Sequence, residues 1–112
     1  MNNNEATSTA TGVFALSRAK PGVTREQIMA IMPAEIRATV QLYIGGQIRE
    51  WYARDDGTGA VFLLNTRNVA EAITVMESLP LAKEHLLDHE YVAVGPLKPL
   101  GLLIGGREAV PT

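Results

Sequence analysis

The chain has 112 residues, of which 46% are hydrophobic, enough for one domain with a modest core. Its net charge of −2, with the ten Lys and Arg residues spread along the chain, argues against a nucleic-acid partner, because phosphate binding needs a clustered basic surface. The absence of cysteine excludes disulfides, thiolate metal sites and cysteine nucleophiles, and no apolar run approaches the ~20 residues that span a bilayer.

The first eleven residues are Asn, Thr, Ser and Ala with the initial Met and a single Glu. They can bury almost nothing, so we expect a disordered lead over residues 1–11. They have neither the positive charge nor the apolar segment of a secretory signal, so the expected location is the cytoplasm. Gly12–Arg18 (GVFALSR) is short and apolar and is followed by Lys20-Pro21-Gly22, which predicts a first strand.

A long helix is predicted next. Thr24 with Gln27 three residues later is a capping-box pattern that opens it, and Gly45-Gly46 ends it. Pro33 either kinks this helix or begins a second helical segment. Five residues recur at three- and four-residue spacing and therefore share one helical face: Met29, Met32, Ile36, Val40 and Tyr43.

The middle of the chain predicts a β-hairpin. Ile48–Arg54 (IREWYAR) is the second predicted strand, and Ala60–Leu64 (AVFLL) is the third. Between them, residues 55–59 (DDGTG) contain the Asp-Gly pair that is typical of hairpin turns.

A second helix and a fourth strand complete the predicted elements. Asn68 with Glu71 begins the helix, and Pro80 ends it. Residues 82–88 can form a further helical turn, and Tyr91–Val94 (YVAV) is the fourth strand. The helical spacing predicts a single buried face formed by Val69, Ala72, Ile73, Met76 and Leu79.

The predicted order, β-α-β-β-α-β, is that of an α+β ferredoxin-like fold, with two helices on one face of a four-stranded antiparallel sheet. Such a sheet should alternate apolar and polar residues, yet three of its strands are apolar on both faces. A second copy of the sheet would cover the open face, so we expect a homodimer or a higher homo-oligomer. The alternative is that the apolar tail folds back within one chain. We expect the domain to span residues 12–100, leaving a tail, 101–112, available to pack on a partner subunit.

The element order, the doubly apolar strands and the stretch SLPLAKEHLLDHEYVAVGPLKPL resemble the dimeric α+β barrel superfamily. The similarity is greatest to its muconolactone-isomerase-like branch and covers roughly residues 12–100. Its motifs, Leu79-Pro80-Leu81 and Gly95-Pro96, mark the ends of predicted elements and indicate no catalytic chemistry. The resemblance implies a dimeric α+β barrel and transfers no catalytic residue. Members include lactone isomerases, dehalogenases, cofactor-free oxygenases, polyketide cyclases and haem enzymes.

The densest group of candidate catalytic residues lies in the second predicted strand. Alternation places Arg49 and Trp51 on one face and Glu50 and Tyr52 on the other. Beneath a roof of helices, Glu50 could act as a base next to a carbonyl while Tyr52 holds the enolate oxygen. The alternative is structural: charges that protect an edge strand, and a Trp packed at an interface.

The two histidines, His85 and His89, are four residues apart. If residues 82–89 were helical, both imidazoles would share a face and could begin a metal site, but no third His or Cys completes it, so we predict no metal and no other cofactor. His89, immediately before the fourth strand, is the preferred histidine for acid–base catalysis, beside Glu50 and Tyr52. The candidate substrate contacts are Arg18, Trp51, Phe62 and His85.

The resulting hypothesis is a small cofactor-free enzyme that acts on an apolar or aromatic-derived molecule by isomerase- or cyclase-type proton transfer. Two alternatives stay open: a non-catalytic ligand-binding or assembly module on the same dimeric barrel, and a cofactor-free monooxygenase. The sequence names no substrate and leaves open whether the protein is an enzyme. It favours neither a nucleic-acid nor a membrane partner.

Overall fold

The computed structural model describes residues 10–96 as an antiparallel sheet with helices packed on it. The elements in chain order are β1 (Gly12–Ala19), α1 (Arg25–Ile44), β2 (Ile48–Ala53), β3 (Gly59–Leu64), α2 (Val69–Glu77), α3 (Pro80–Lys83) and β4 (Leu87–Val94). The predicted lead over residues 1–11 falls mostly, and the predicted tail over residues 101–112 wholly, outside the described residues. None of the described helices is long and apolar enough to cross a bilayer.

The strand order in the sheet is β2-β3-β1-β4, and each neighbouring pair is antiparallel. The strands β1 and β2, joined through α1, run parallel with β3 between them. This split βαβ arrangement is compatible with a ferredoxin-like fold and confirms the predicted α+β class.

The core lies between the helices and one face of the sheet, here called the covered face. Side chains of β1 alternate along the strand, so Val13, Ala15 and Ser17 are buried on this face. The buried apolar residues that form the core cluster are Val13, Ala15, Ile48, Phe62, Leu64, Ala72, Met76 and Leu79. We call the opposite side the open face.

The helix α1 begins at the predicted capping box. The hydroxyl of Thr24 accepts a hydrogen bond from the Gln27 backbone N–H at 3.1 Å, and the Gln27 side chain accepts one from the Thr24 N–H at 2.7 Å. The helix then runs without interruption to Ile44, with Pro33 inside it. The alternative prediction, a second helical segment that begins at Pro33, is therefore wrong.

The distribution of polar and apolar residues on α1 is not that of a simple amphipathic helix. Four members of the predicted apolar face, Met29, Ile36, Val40 and Tyr43, are exposed. The buried residues of the helix are polar, namely Glu35 and Thr39, and two apolar residues, Ala38 and Leu42, pack beside them against the core.

The second half of the chain departs from prediction at the end of α2. The Asn68 side chain caps this helix by accepting a hydrogen bond from the Glu71 N–H at 2.8 Å, as predicted. Three of the predicted face residues are fully buried: Ala72, Met76 and Leu79. The helix ends at Glu77, and Pro80 begins the one-turn helix α3. The strand β4 begins at Leu87, four residues before the predicted start.

Candidate functional site

A cleft of about 710 Å³ lies between α1 and the covered face of the sheet. Most of its lining is apolar, and its floor is formed by the middle of the sheet. The apolar lining side chains include Ile28, Met29, Met32, Ile36, Val40, Trp51, Phe62, Leu81 and Leu87. A concave, mainly apolar cleft with a few polar groups is the usual form of a small-molecule site.

The carboxylic acid of the cleft is Glu35. It lies in the middle of α1 and is only 7% exposed. Its Oε1 accepts a hydrogen bond from the Leu81 backbone N–H, at 2.8 Å, where α3 begins. Burial raises the pKa of Glu35 because the charged form loses its hydration, and the hydrogen bond from Leu81 opposes this effect. A carboxyl group with a raised pKa in a cleft is a candidate for proton transfer to and from a bound molecule.

The polar group on the floor of the cleft is Ser17. It lies in β1 and is 2% exposed, and its Oγ has no hydrogen-bond partner among residues 10–96. Buried polar atoms are almost always hydrogen-bonded in native proteins. An unpaired hydroxyl in the lining of a cleft is therefore available to a bound molecule.

Three basic residues contribute to one end of the cleft. Arg18, Lys20 and Arg25 line it where β1 ends and α1 begins. The hairpin between β2 and β3 supplies the neighbouring wall through Thr58, whose backbone and hydroxyl both donate to Asp56 Oδ1, at 3.0 and 2.6 Å. These hydrogen bonds are the main reason why the pKa of Asp56 is lowered.

Glu50 and Tyr52 share a face of β2, and the Tyr52 hydroxyl donates to Glu50 Oε1. That hydrogen bond is the main cause of a raised pKa at Tyr52. The two residues lie opposite Leu63 and Val61, on the open face, and both side chains are exposed. The expectation that helices cover Glu50 and Tyr52 is wrong.

A β-bulge is the reason for this reversal. The register with β3 shifts between Ile48 and Glu50, so Arg49 is an extra residue in β2. Without the shift, Glu50 would share the buried face of Ile48. With it, Trp51 points to the covered face instead. The guanidinium of Arg49 donates to the Thr11 carbonyl and, at 3.2 Å, to Asn65 Oδ1.

Three predicted substrate contacts line the cleft: Arg18, Trp51 and Phe62. Trp51 lies opposite Phe62 across β2 and β3, and its ring packs edge-on against Tyr43, with the centroids 4.9 Å apart. The fourth, His85, is an exposed residue in the turn after α3, at a φ of 60°, and is not among the lining residues.

His89 lies inside β4, not before it, and points to the covered side without lining the cleft. Its Nδ1 is 3.9 Å from Glu77 Oε2. Burial lowers the pKa of His89, and the charges of Glu77 and Asp88 oppose that effect. Because α3 ends at Lys83, His85 and His89 do not share a helical face. Within residues 10–96, no three His, Cys, Asp or Glu side chains are placed to hold a metal ion.

Glu35 and Ser17 are the cleft residues that the sequence reasoning missed. A second apolar stripe on α1, Ile28, Ile31, Ala38 and Leu42, also has helical spacing and includes position 35. A carboxylate inside an apolar stripe is the signal that would have identified Glu35. For Ser17, the signal is a lone hydroxyl at an inward position of an otherwise apolar strand.

Comparisons with known proteins leave the family open. No family model matches the chain, and no curated protein matches it in sequence. The likeness to the dimeric α+β barrel superfamily therefore stays a prediction.

Proposed function

We propose that this protein is a small cofactor-free enzyme that transfers a proton on an apolar or aromatic-derived molecule bound in the cleft between α1 and the sheet. The reaction class is that of an isomerase, as the resemblance to muconolactone isomerases implies. The observation that carries the proposal is Glu35, a buried carboxyl group with a raised pKa in the wall of an otherwise apolar cleft.

The proposed chemistry is proton transfer at a carbon next to a carbonyl. Glu35 takes the proton from that carbon and returns it to a neighbouring position of the same molecule. A base works best when its pKa is near the working pH, and burial moves a carboxyl group in that direction. The apolar walls exclude water and hold the body of the molecule.

This assignment gives Glu35 the role that the sequence suggested for Glu50. Glu35 is buried in the cleft, whereas Glu50 is exposed and bonded to Tyr52 on the open face. A catalytic role for Glu50 and Tyr52 requires that another surface cover the open face. His89 lies beside the cleft floor, on β4, in either case.

We also propose that two copies of the chain associate through their open faces to form a dimeric α+β barrel. The open face carries a continuous group of apolar side chains: Phe14, Leu16, Val61, Leu63 and Val92. Val92 is 44% exposed. A patch of this kind on a sheet favours association, because no described helix covers it.

The test of the enzyme proposal is hydrogen exchange on a probe ketone. 2-Tetralone has an apolar aromatic body and acidic protons beside its carbonyl, and their replacement by deuterium in D₂O can be followed by NMR. The wild-type protein should accelerate this exchange, and Glu35→Gln should reduce the acceleration at least ~100-fold, the usual contribution of a general base.

The matched control is Glu50→Gln, the same change on the open face. It should leave the exchange rate within twofold of wild type. Loss of rate in Glu50→Gln with an active Glu35→Gln would transfer the role of base to Glu50. Binding of 2-tetralone without faster exchange would favour the alternative of a ligand-binding module.

A further inference from the structure

A group of buried polar atoms lies on the covered side of β1 and β4, at and beside the floor of the cleft. Ser17 Oγ, His89 Nε2 and Tyr91 Oη are all buried and have no hydrogen-bond partner among residues 10–96. Ser17 is the cross-strand neighbour of His89. Cross-strand neighbours have Cβ atoms about 5 Å apart, so rotation about their side-chain bonds brings Oγ and Nε2 within reach of each other.

The environment of His89 determines which of its nitrogens carries the proton. Its imidazole is neutral near pH 7, since burial lowers its pKa. A neutral imidazole has one N–H and one acceptor nitrogen. Nδ1 faces the Glu77 carboxylate at 3.9 Å, which favours the proton on Nδ1. Nε2 is therefore a hydrogen-bond acceptor, directed away from Glu77.

The acceptor atom His89 Nε2, beside Ser17, determines which hydrogen bond Ser17 can make with a molecule in the cleft. In such a contact, the Ser17 hydroxyl would donate its single proton to His89 Nε2. The lone pairs of Oγ then remain for a group in the cleft, which must be a donor. With the opposite tautomer, Ser17 would donate into the cleft and select a carbonyl instead.

We infer that Ser17 accepts a hydrogen bond from a hydroxyl group of the bound molecule, and that His89, oriented by Glu77, is the positioning residue that makes Ser17 an acceptor. The ligand class is an apolar molecule with an enol or phenol hydroxyl. The inference rests on the cleft being the ligand site, as proposed above. It adds a specificity that Glu35 alone does not give, because Glu35 is on the helix side of the cleft and Ser17 on the sheet side.

Three probes of nearly equal shape test the inference: 2-naphthol, 2-methoxynaphthalene and naphthalene. The first can donate a hydrogen bond, the second can only accept one, and the third can do neither. NMR titration should show that wild type binds 2-naphthol about tenfold more tightly than either other probe, the scale of one hydrogen bond to a buried group. Ser17→Ala should remove this preference and leave naphthalene binding unchanged.

The variants of His89 separate positioning from packing. His89→Phe keeps the ring but loses the acceptor, so the preference for 2-naphthol should fall. His89→Gln supplies an amide oxygen as acceptor and should restore part of it. His85→Phe, at the exposed histidine outside the cleft, is the control and should bind all three probes as wild type does.

A spectroscopic readout tests the tautomer independently of any ligand. Nitrogen-15 NMR should show the proton of His89 on Nδ1, and Glu77→Ala should move it toward Nε2. A proton on Nε2 in wild type would overturn the inference. Equal affinity for the three probes would overturn it too, while the exchange experiment on 2-tetralone would still decide the role of Glu35. A protein that binds no probe at all would contradict both proposals.

Discussion

Each face of the sheet carries, among its other residues, groups that are more usual on the opposite face. On the covered face, Ser17 and His89 are enclosed beneath helices, with Glu35 above them. On the open face, Val92 and its apolar neighbours are accessible beside the hydrogen-bonded pair Glu50 and Tyr52. In an ordinary one-sided sheet, the covered face would be apolar and the accessible face polar.

Both features, the enclosed polar groups and the accessible apolar groups, cost free energy in the isolated chain. Enclosing an unpaired hydroxyl or imidazole nitrogen typically costs about 1–3 kcal/mol, and an accessible apolar patch gains nothing from burial. Costs of this kind are offset when the polar groups meet a ligand and the apolar groups meet another surface. The comparison therefore supports the proposed ligand site on the covered face and the proposed association through the open face.

The largest expected effect is on stability, at the edge of the covered face. A Cβ at Gly59 would collide with the backbone carbonyl of Ser17, which a rigid neighbouring strand cannot avoid. Gly59→Ala should destabilise the fold by about 3 kcal/mol, measured by urea denaturation. Gly45→Ala is the control: Gly45 has a φ of −76° and its nearest neighbour would be 3.3 Å away, so its change should stay within about 0.5 kcal/mol.

The next effect concerns the open face. Val92→Lys places a charge in the proposed interface but leaves the covered face untouched. Sedimentation should show the wild type as a dimer of the 12.1 kDa chain, and the variant should dissociate at least ~100-fold more readily, because a buried unpaired charge costs several kcal/mol. Ile44→Lys, at a residue of α1 that is 70% exposed, should leave the dimer intact. A wild-type monomer at micromolar concentration would contradict the assignment of association to this face.

The third effect is a pH dependence from Glu35. Its pKa is raised in the fold, so the native state holds the proton more tightly than the unfolded chain. The resulting stabilisation is full below about pH 4.5 and is lost as the pH rises through the raised value. Glu35→Gln keeps an acceptor for the Leu81 N–H and carries no charge, so its free energy of unfolding should rise relative to that of wild type as the pH increases from 4 to 7.

The measurement is thermal or urea unfolding of both proteins across that range. The two proteins must be compared because the pH dependence of stability that His89 contributes has the opposite sign to that of Glu35. Burial lowers its pKa, so its contribution to stability is lost as the pH falls below about 6.5 in both proteins. A difference between the curves that does not change with pH would show that the ionisation of Glu35 does not affect folding.

The smallest effect compares two tyrosines. Tyr91 on the covered side has an unpaired hydroxyl, and burial raises its pKa to about 12. Tyr91→Phe removes a polar atom that gains nothing from enclosure and should stabilise the protein by up to about 1 kcal/mol. Tyr52→Phe removes an exposed hydrogen bond and should cost less than about 0.5 kcal/mol. Equal effects in urea denaturation would remove the distinction between the two faces at these positions.

Most of the fold follows from local patterns in the sequence. The capping pairs Thr24–Gln27 and Asn68–Glu71 begin both long helices as predicted, because these patterns act over only three residues. The hairpin turn between β2 and β3 also needs only short-range chemistry. By contrast, β4 begins early because pairing with β1 extends it through His89, which is a tertiary effect.

The candidate site was harder to predict because it depends on orientation. Both stripes of α1 have helical spacing, and only packing decides that Glu35 turns inward while Ile36 remains 55% exposed. Likewise, alternation along β2 correctly paired Glu50 with Tyr52. The face on which they lie depends on the bulge at Arg49. No residue in β2 is a sequence signal for that bulge.

That single extra residue also determines how this protein could acquire a different specificity. Deleting Arg49 would remove the bulge but keep Glu50 opposite Leu63 and Trp51 opposite Phe62, so the cleft would keep its aromatic wall. Regular pairing with Arg49 retained would instead move every later residue of β2 by one place, bringing Glu50 and Tyr52 to the covered face and Trp51 to the open face. A one-residue change in the register of β2 would thus replace an aromatic wall with an acid and a phenol, which no single substitution can do.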